Sequence, residues 1–574
     1  MRRRPARLWK RSSTSITTGA LLLSVGLVTG MGTGDAPPSP APTAQRLAAT
    51  CARTHTANVV VLDQPLMFNR LGAQNVNGIV YALRRDVINQ DTGLPLTRGG
   101  AAVPGRVTLR PDKRPRPLVL RAAEGDCLQV NFTNLLTPLA NPRQAPALIN
   151  DLPFNLQIDD QVADRTAGFT VSGMQLVNGI ADDSSFVGNN GNSLVAPGQS
   201  ATYTWFAEKE GAFLVTSDGA TFGGEGTYGN GANGMFAAIT VQPRGAGFYR
   251  SQVTEEELRL ATTGTAPTGQ PIIDYEALYP PVEPWLSEGK SGLPILNMRT
   301  ASGELVHADV TAMIVGPNLD GTFPPSTYPL ESVGKRNPSV PNRLEPFREY
   351  AVIFHDEVAA ANAFPGFFRD PVFRFTLEGV RDSFMINYGS GGIGSEIIAN
   401  RLSVGPMHDC LDCAFEEFFL SSFTVGDPAV LVDVPANRGL EALPPGAAPP
   451  PGTVGPKATR AFFPDDPSNV YHSYINDFVK FRNVHVGREN HVFHLHNHQW
   501  LFNANDDNSN YIDAQGIGPG SGYSYEISFG GSGNRNYTAG DAIFHCHFYP
   551  HFAQGMWSLW RVHDVFESGT RLAV

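Results

Sequence analysis

Apolar positions along this chain recur every second residue, in short runs separated by Gly, Pro, Asn and Asp. The spacing predicts strands at Val59–Leu62, Leu118–Leu120, Cys127–Phe132 and Ala201–Phe206, then Tyr350–Glu357, Ser383–Tyr388 and Glu417–Leu420. A period of two puts alternate side chains on opposite faces of a sheet, one for the core and one for solvent. The chain reads as all-β.

Composition sharpens this picture. At 574 residues the chain exceeds one ordinary domain, and two to four are expected. With 59 Gly, 45 Pro and only 17 % charged residues, it fits many strands joined by turns better than a helical protein. A net charge of -11 argues against a nucleic-acid partner. No stretch has the length and apolarity of a mature membrane span.

Residues 1–44 read as an export segment. Arg2, Arg3, Arg4, Arg7, Lys10 and Arg11 form a basic head, followed by an apolar run from Ile16 to Val28 and a Pro/Ala-rich stretch to Ala44. The paired arginines hint at the twin-arginine route, and an uncleaved membrane anchor is the competing reading. Downstream, residues 45–244 and 245–434 read as two β-domains. Residues 435–467 read as a Pro/Gly-rich linker, and 468–574 as a last domain. Gly389–Gly394 matches G-x-G-x-x-G, but no helix follows it, and a loop is the better reading. His307, His355 and His408 lack ligand spacing and read as structural or surface histidines. An exported protein is compatible with disulfides, and its five cysteines are Cys51, Cys127, Cys410, Cys413 and Cys546. Cys51 with Cys127 would staple the N-terminal arm to the first domain. Cys410 and Cys413 either pair or form a metal clip beside His408.

The chemistry concentrates near the C-terminus. His491-Val-Phe-His494-Leu-His496-Asn-His498 and His545-Cys546-His547 are each read on a strand. Parity sends His494, His496 and His498 to one face and His491 to the other. It likewise sets His545 and His547 opposite Cys546. One face then offers Cys546, His491 and His551 with Met556 as a weak axial thioether, the donor set of a type 1 copper centre. The opposite face offers His494, His496, His545 and His547 as a second cluster.

H-x-F-H-L-H-x-H followed by H-C-H-x3-H-x4-M resembles the two C-terminal copper motifs of the multicopper oxidases, a laccase-like family. The resemblance implies tandem cupredoxin-like Greek-key β-sandwich domains, three in number. It implies copper as cofactor and electron entry at the type 1 ion. Cys546 with its flanking His545 and His547 then carries electrons to a histidine-bound site where dioxygen is reduced. The counterpart of His498 is usually not a ligand. The family's two His-x-His pairs of the first domain are missing: Thr170, Ser172, Thr216 and Asp218 stand at those positions. No histidine lies between His55 and His307.

The main expectation is therefore a copper oxidoreductase that draws electrons from a small reductant or metal ion, with an altered oxygen site. The alternatives are a copper-binding electron carrier without oxygen reduction, and an extracellular structural protein stabilised by copper. Asp506, Asp507 and Asp513 either steer a cation toward the site or are simply solvated.

Overall fold

The computed structural model describes residues 50–67, 73–75, 78–138, 165–219, 229–267, 269–282, 289–333, 342–358, 361–362, 383–389, 470–527, 539–553 and 555–564. The export segment, the linker at 435–467, the expected strand at Glu417–Leu420 and the residues His408, Cys410 and Cys413 lie outside that set, as does all but Gly389 of the G-x-G-x-x-G stretch.

Strands dominate, and eight of them build a first sandwich: β1 (Thr54–Asp63), β2 (Ile79–Leu83), β3 (Leu118–Ala123), β4 (Cys127–Asn134), β5 (Thr170–Val171), β6 (Ser200–Phe206), β7 (Gly211–Thr216) and β8 (Ala237–Gln242). One sheet runs in the order β6-β4-β1-β2 and the other β3-β8-β7-β5. Strands distant in sequence lie side by side, β4 against β1 and β8 against β3, as a Greek key requires. In β4 the alternation is nearly complete, with Leu128, Val130 and Phe132 turned into the core and Gln129, Asn131 and Thr133 turned out. The core joins the two sheets through Val59 and Val61, Phe132, Trp205, Phe213, Val215 and Ile239. Cys51 and Cys127 form the expected disulfide.

A second set of eight repeats the arrangement: β9 (Phe347–Val358), β10 (Ser383–Ile386), β11 (Tyr471–Tyr474), β12 (Val479–His485), β13 (His491–Leu495), β14 (Gly522–Ile527), β15 (Gly540–Cys546) and β16 (Trp557–His563). Their order is β14-β12-β9-β10 in one sheet and β11-β16-β15-β13 in the other. Parallel pairs recur at matching places, β1 with β4 and β3 with β8, then β9 with β12 and β11 with β16. The architecture is all-β, as expected, with tandem cupredoxin-like sandwiches. Strands from either side of 435–467 pair in one sheet, because β9 lies beside β12 over seven residue pairs. Among the described residues, the eight-strand pattern therefore occurs twice.

The sandwiches meet across an apolar layer of Leu214, Phe236 and Ala238 against Ile353, Met385 and Val484. Beside it lies a buried ionic knot. Glu349 on β9 accepts from Arg121 Nε on β3 at 2.9 Å, from Arg482 Nε on β12 at 3.1 Å and from Thr240 Oγ1 on β8 at 2.8 Å. A buried carboxylate is tolerated only with such paired donors. Among the described residues no helix is long and apolar enough to cross a membrane.

Candidate metal centre

Burial along β13 and β15 alternates as a one-faced sheet demands. His491, Phe493 and Leu495 point inward and His494 outward, while Ala542, Phe544 and Cys546 point inward and His545 outward. The strands are paired with His494 opposite His545 and Phe493 opposite Cys546. This register brings His491 and Cys546 together inside the sandwich.

After Cys546 the chain leaves the strand and makes a helical turn, Tyr549–Ala553, which carries His551 back over the thiol. Cys546 Sγ lies 3.5 Å from His551 Nδ1 and 3.7 Å from His491 Nδ1, and the two ring nitrogens are 2.9 Å apart. Met556 is fully buried in the same core cluster, its amide donating to the His551 carbonyl while its own carbonyl accepts from the Cys546 amide. Burial pushes the Cys546 thiol up to about 11. Burial, then the neighbouring His491, brings His551 down to about 4, so its imidazole is neutral at pH 7. One thiol and two imidazoles, spaced about as donors on one ion bonded at about 2.0–2.3 Å would be, fit a soft transition metal.

The outward face holds the second cluster. His496 Nε2 is 3.0 Å from His545 Nε2, and the His494 ring centre lies 4.9 Å from that of His496 and 5.2 Å from that of His545. These three bring ligand atoms within 4.8 Å of one another. His547 is exposed, and its ring packs on His494 at 5.0 Å, beside the trio. Burial first, and then the surrounding imidazoles, lowers His545 to about 4, although its bond to the Cys546 carbonyl opposes the shift. His498 leaves this face: the strand ends at Leu495, Asn497 takes a left-handed φ of 64°, and His498 packs on Trp560 at 4.5 Å. Of the acidic residues, Asp507 is buried whereas Asp506 and Asp513 are exposed.

No family model matches the chain. A curated relative, the probable nitrite reductase-hydroxylamine oxidoreductase fusion protein of Kuenenia stuttgartiensis, is 29 % identical over 99 residues. The match covers 17 % of this chain and 11 % of that protein. Among solved structures, a copper nitrite reductase from Nitrosomonas europaea aligns over 91 % of this chain and all of its own, at 10 % identity and a TM-score of 0.38. A blue copper oxidase from the same organism covers 89 % of this chain and 86 % of its own, at 12 % identity and a TM-score of 0.35. Likeness this loose leaves the chemistry to the site's own atoms.

Two residues near that site come from far upstream. The Asp356 carboxylate on β9 lies 2.9 Å from His491 Nε2. Phe384 on β10 stacks face to face on His551, with centroids 4.0 Å apart and planes 8° from parallel. No spacing rule flags either one, because they meet the histidines only where the two sheets of the sandwich pack face to face. Asp356, His485 and His491 also cluster, but His485 is committed elsewhere. It donates from Nε2 to the Glu489 carbonyl and accepts the Gly487 amide at Nδ1. His307 and His355 are buried and bonded to backbone, His307 to the Pro294 carbonyl and His355 to the Tyr388 amide.

The first sandwich has its own version of the site. Thr216 pairs with Thr170 as His545 pairs with His494. Gly234-Met235-Phe236 repeats Gly555-Met556-Trp557, with left-handed glycines at φ 97° and 117° and the Phe236 and Trp557 amides donating back to the glycine carbonyls at 2.8 and 2.9 Å. On this correspondence Ser217 stands for Cys546, Ala167 for His491 and Met235 for Met556. Thr170, Ser172, Thr216 and Asp218 stand for the four outward histidines.

Proposed function

We propose that this chain is an exported, copper-dependent oxidoreductase that takes electrons one at a time from a small reductant or metal ion. The observation that carries the reading is the convergence of Cys546 Sγ, His491 Nδ1 and His551 Nδ1 in an apolar core beside Met556. These residues would hold a type 1 copper, with Met556 as its weak axial donor. His494, His496, His545 and His547 would hold a second, histidine-bound copper site. Bound copper supplies one-electron redox chemistry, with Cys546 bonded through the backbone to both flanking histidines of the second face.

The protein's own part is positioning. Sheet pairing fixes His491 against Cys546, and the helical turn sets His551 over the thiol. The surrounding Phe493, Phe544, Trp560 and Met556 exclude water, so the donors meet an ion without competing solvent. Cys546 releases its proton when it binds metal, since the thiolate is the ligand.

A second reading, electron transfer or copper binding without oxygen reduction, is favoured by the first sandwich. Hydroxyls and a single carboxylate stand there at the four positions a complete oxygen site would fill with imidazole. Copper content per folded, copper-loaded chain separates the readings when measured with oxygen and nitrite consumption. One copper, intense blue colour and no turnover would establish the carrier. More than one copper with turnover would establish the oxidoreductase, and a colourless protein without copper at Cys546 would overturn both.

A further inference from the structure

The Asp356 side chain is buried, and three donors converge on it. Its Oδ1 accepts the Arg488 amide at 2.8 Å, and its Oδ2 accepts the Glu489 amide and His491 Nε2–H, each at 2.9 Å. The turn that delivers those amides closes on the carboxylate so tightly that a Cβ on Gly487 would lie 2.2 Å from Asp356 Oδ2. An ionised carboxylate has no proton to donate, so the imidazole that faces it must carry its hydrogen on Nε2. In the neutral ring that leaves the Nδ1 lone pair free, and Nδ1 is the atom facing Cys546 Sγ and His551 Nδ1.

The first sandwich supplies an internal control. Asp63 occupies on β1 the place of Asp356 on β9, and it too pins the loop after the partner strand, accepting the Thr137 amide at 2.8 Å. Its remaining partners are the Thr137 hydroxyl and Arg165, with no imidazole among them. Pinning the loop is thus common to both sandwiches. Contact with a candidate donor histidine belongs to the second alone.

We infer that Asp356 is a positioning residue that locks His491 as an Nε2–H tautomer, presenting Nδ1 to a metal and adding negative charge behind that donor. The inference rests on the copper reading for its metal consequences, but the tautomer does not depend on it. The carboxylate makes His491 a stronger donor and favours the more highly charged metal ion, as outer partners of ligating histidines do.

The test compares Asp356→Asn with Asp63→Asn. Nitrogen NMR of the metal-free full chain should show His491 as the Nε2–H tautomer in the parent and in Asp63→Asn, and a mixture in Asp356→Asn. Titration with copper(II) alone should show a loss of about 10–100-fold in affinity for Asp356→Asn and none for Asp63→Asn. The potential should rise in Asp356→Asn by about 59 mV for each tenfold shift in the one-electron equilibrium. An unchanged tautomer, or an equal loss of affinity in both variants, overturns the inference. A parent that binds no copper at Cys546 would sink the functional reading while leaving the tautomer result to stand.

Discussion

The two sandwiches share eight strands, sheet order, parallel pairs and a helical turn ahead of a Gly-Met step, Gly229–Ala232 in the first and Tyr549–Ala553 in the second, yet one gathers donors and the other does not. At the place of Cys546 the first sandwich has Ser217, whose hydroxyl accepts the amides of Gly168 and Gly219 at 3.0 and 3.2 Å. At the place of His491 it has Ala167, fully buried. Of the four candidate type 1 donors, methionine is the one shared, as Met235 and Met556. Strand pairing and burial therefore account for the shape of the pocket in both halves, and a few side chains account for its chemistry. A fold of this kind does not imply a function; the site does.

The largest test of that contrast is Cys546→Ser. It should abolish any intense blue absorption of the copper-loaded protein, whereas Ser217→Cys should add none, because Ala167 offers no imidazole beside it. A Cys546→Ser protein that stayed blue would refute the donor assignment.

Next in size is the knot that joins the halves. Glu349→Ala strips the buried Arg121 guanidinium of its carboxylate and leaves Arg482 with Glu210 alone, and should cost about 3–5 kcal/mol of stability. Chemical denaturation should show it, with both sandwiches affected because the knot draws on each.

Acid should separate the halves. Burial first lowers His545 and His551 to about 4 and His355 to about 3, all in the second sandwich. Their folded-state values lie below the ordinary 6.5, so the fold favours the neutral rings. The stability they contribute is present above about pH 6.5 and is lost as pH falls through about 4 and then 3. Hydrogen exchange on the metal-free protein should show β13 and β15 opening before β4 and β6 as pH drops; the reverse order would contradict this account.

The smallest effect expected on stability is that of the paired methionines. Met235→Leu and Met556→Leu should each cost less than about 1.5 kcal/mol, as near volume-conserving core changes do. Only Met556→Leu should raise the potential of bound copper, which voltammetry on both variants would check.

Much of this was legible in the sequence, for reasons tied to particular residues. Alternation in Cys127–Phe132 marked β4, and parity within His491–His496 and His545–His547 separated an inward pair from an outward group, because strand geometry is local. Parity failed at His498, where Asn497 turns the chain after the strand has ended. Asp356 and Phe384 carried no signal, since their partners are reached only across the interior of the sandwich, from one sheet to the other. The repeat of eight strands was equally silent. Hydrophobic alternation is satisfied by many sequences, and the halves have in common little more than the Gly-Met step and the aspartates at 63 and 356.

The Cys51–Cys127 bridge lies wholly within the first sandwich, and β1 and β4, which flank it, run side by side. Ribosomes deliver a chain from its N-terminus, so both of these cysteines emerge long before Cys546. Once they are joined, neither thiol remains to form a mixed bridge with the late-arriving cysteine. The order of synthesis thus removes these two sulfurs as competitors for Cys546 before that residue is made.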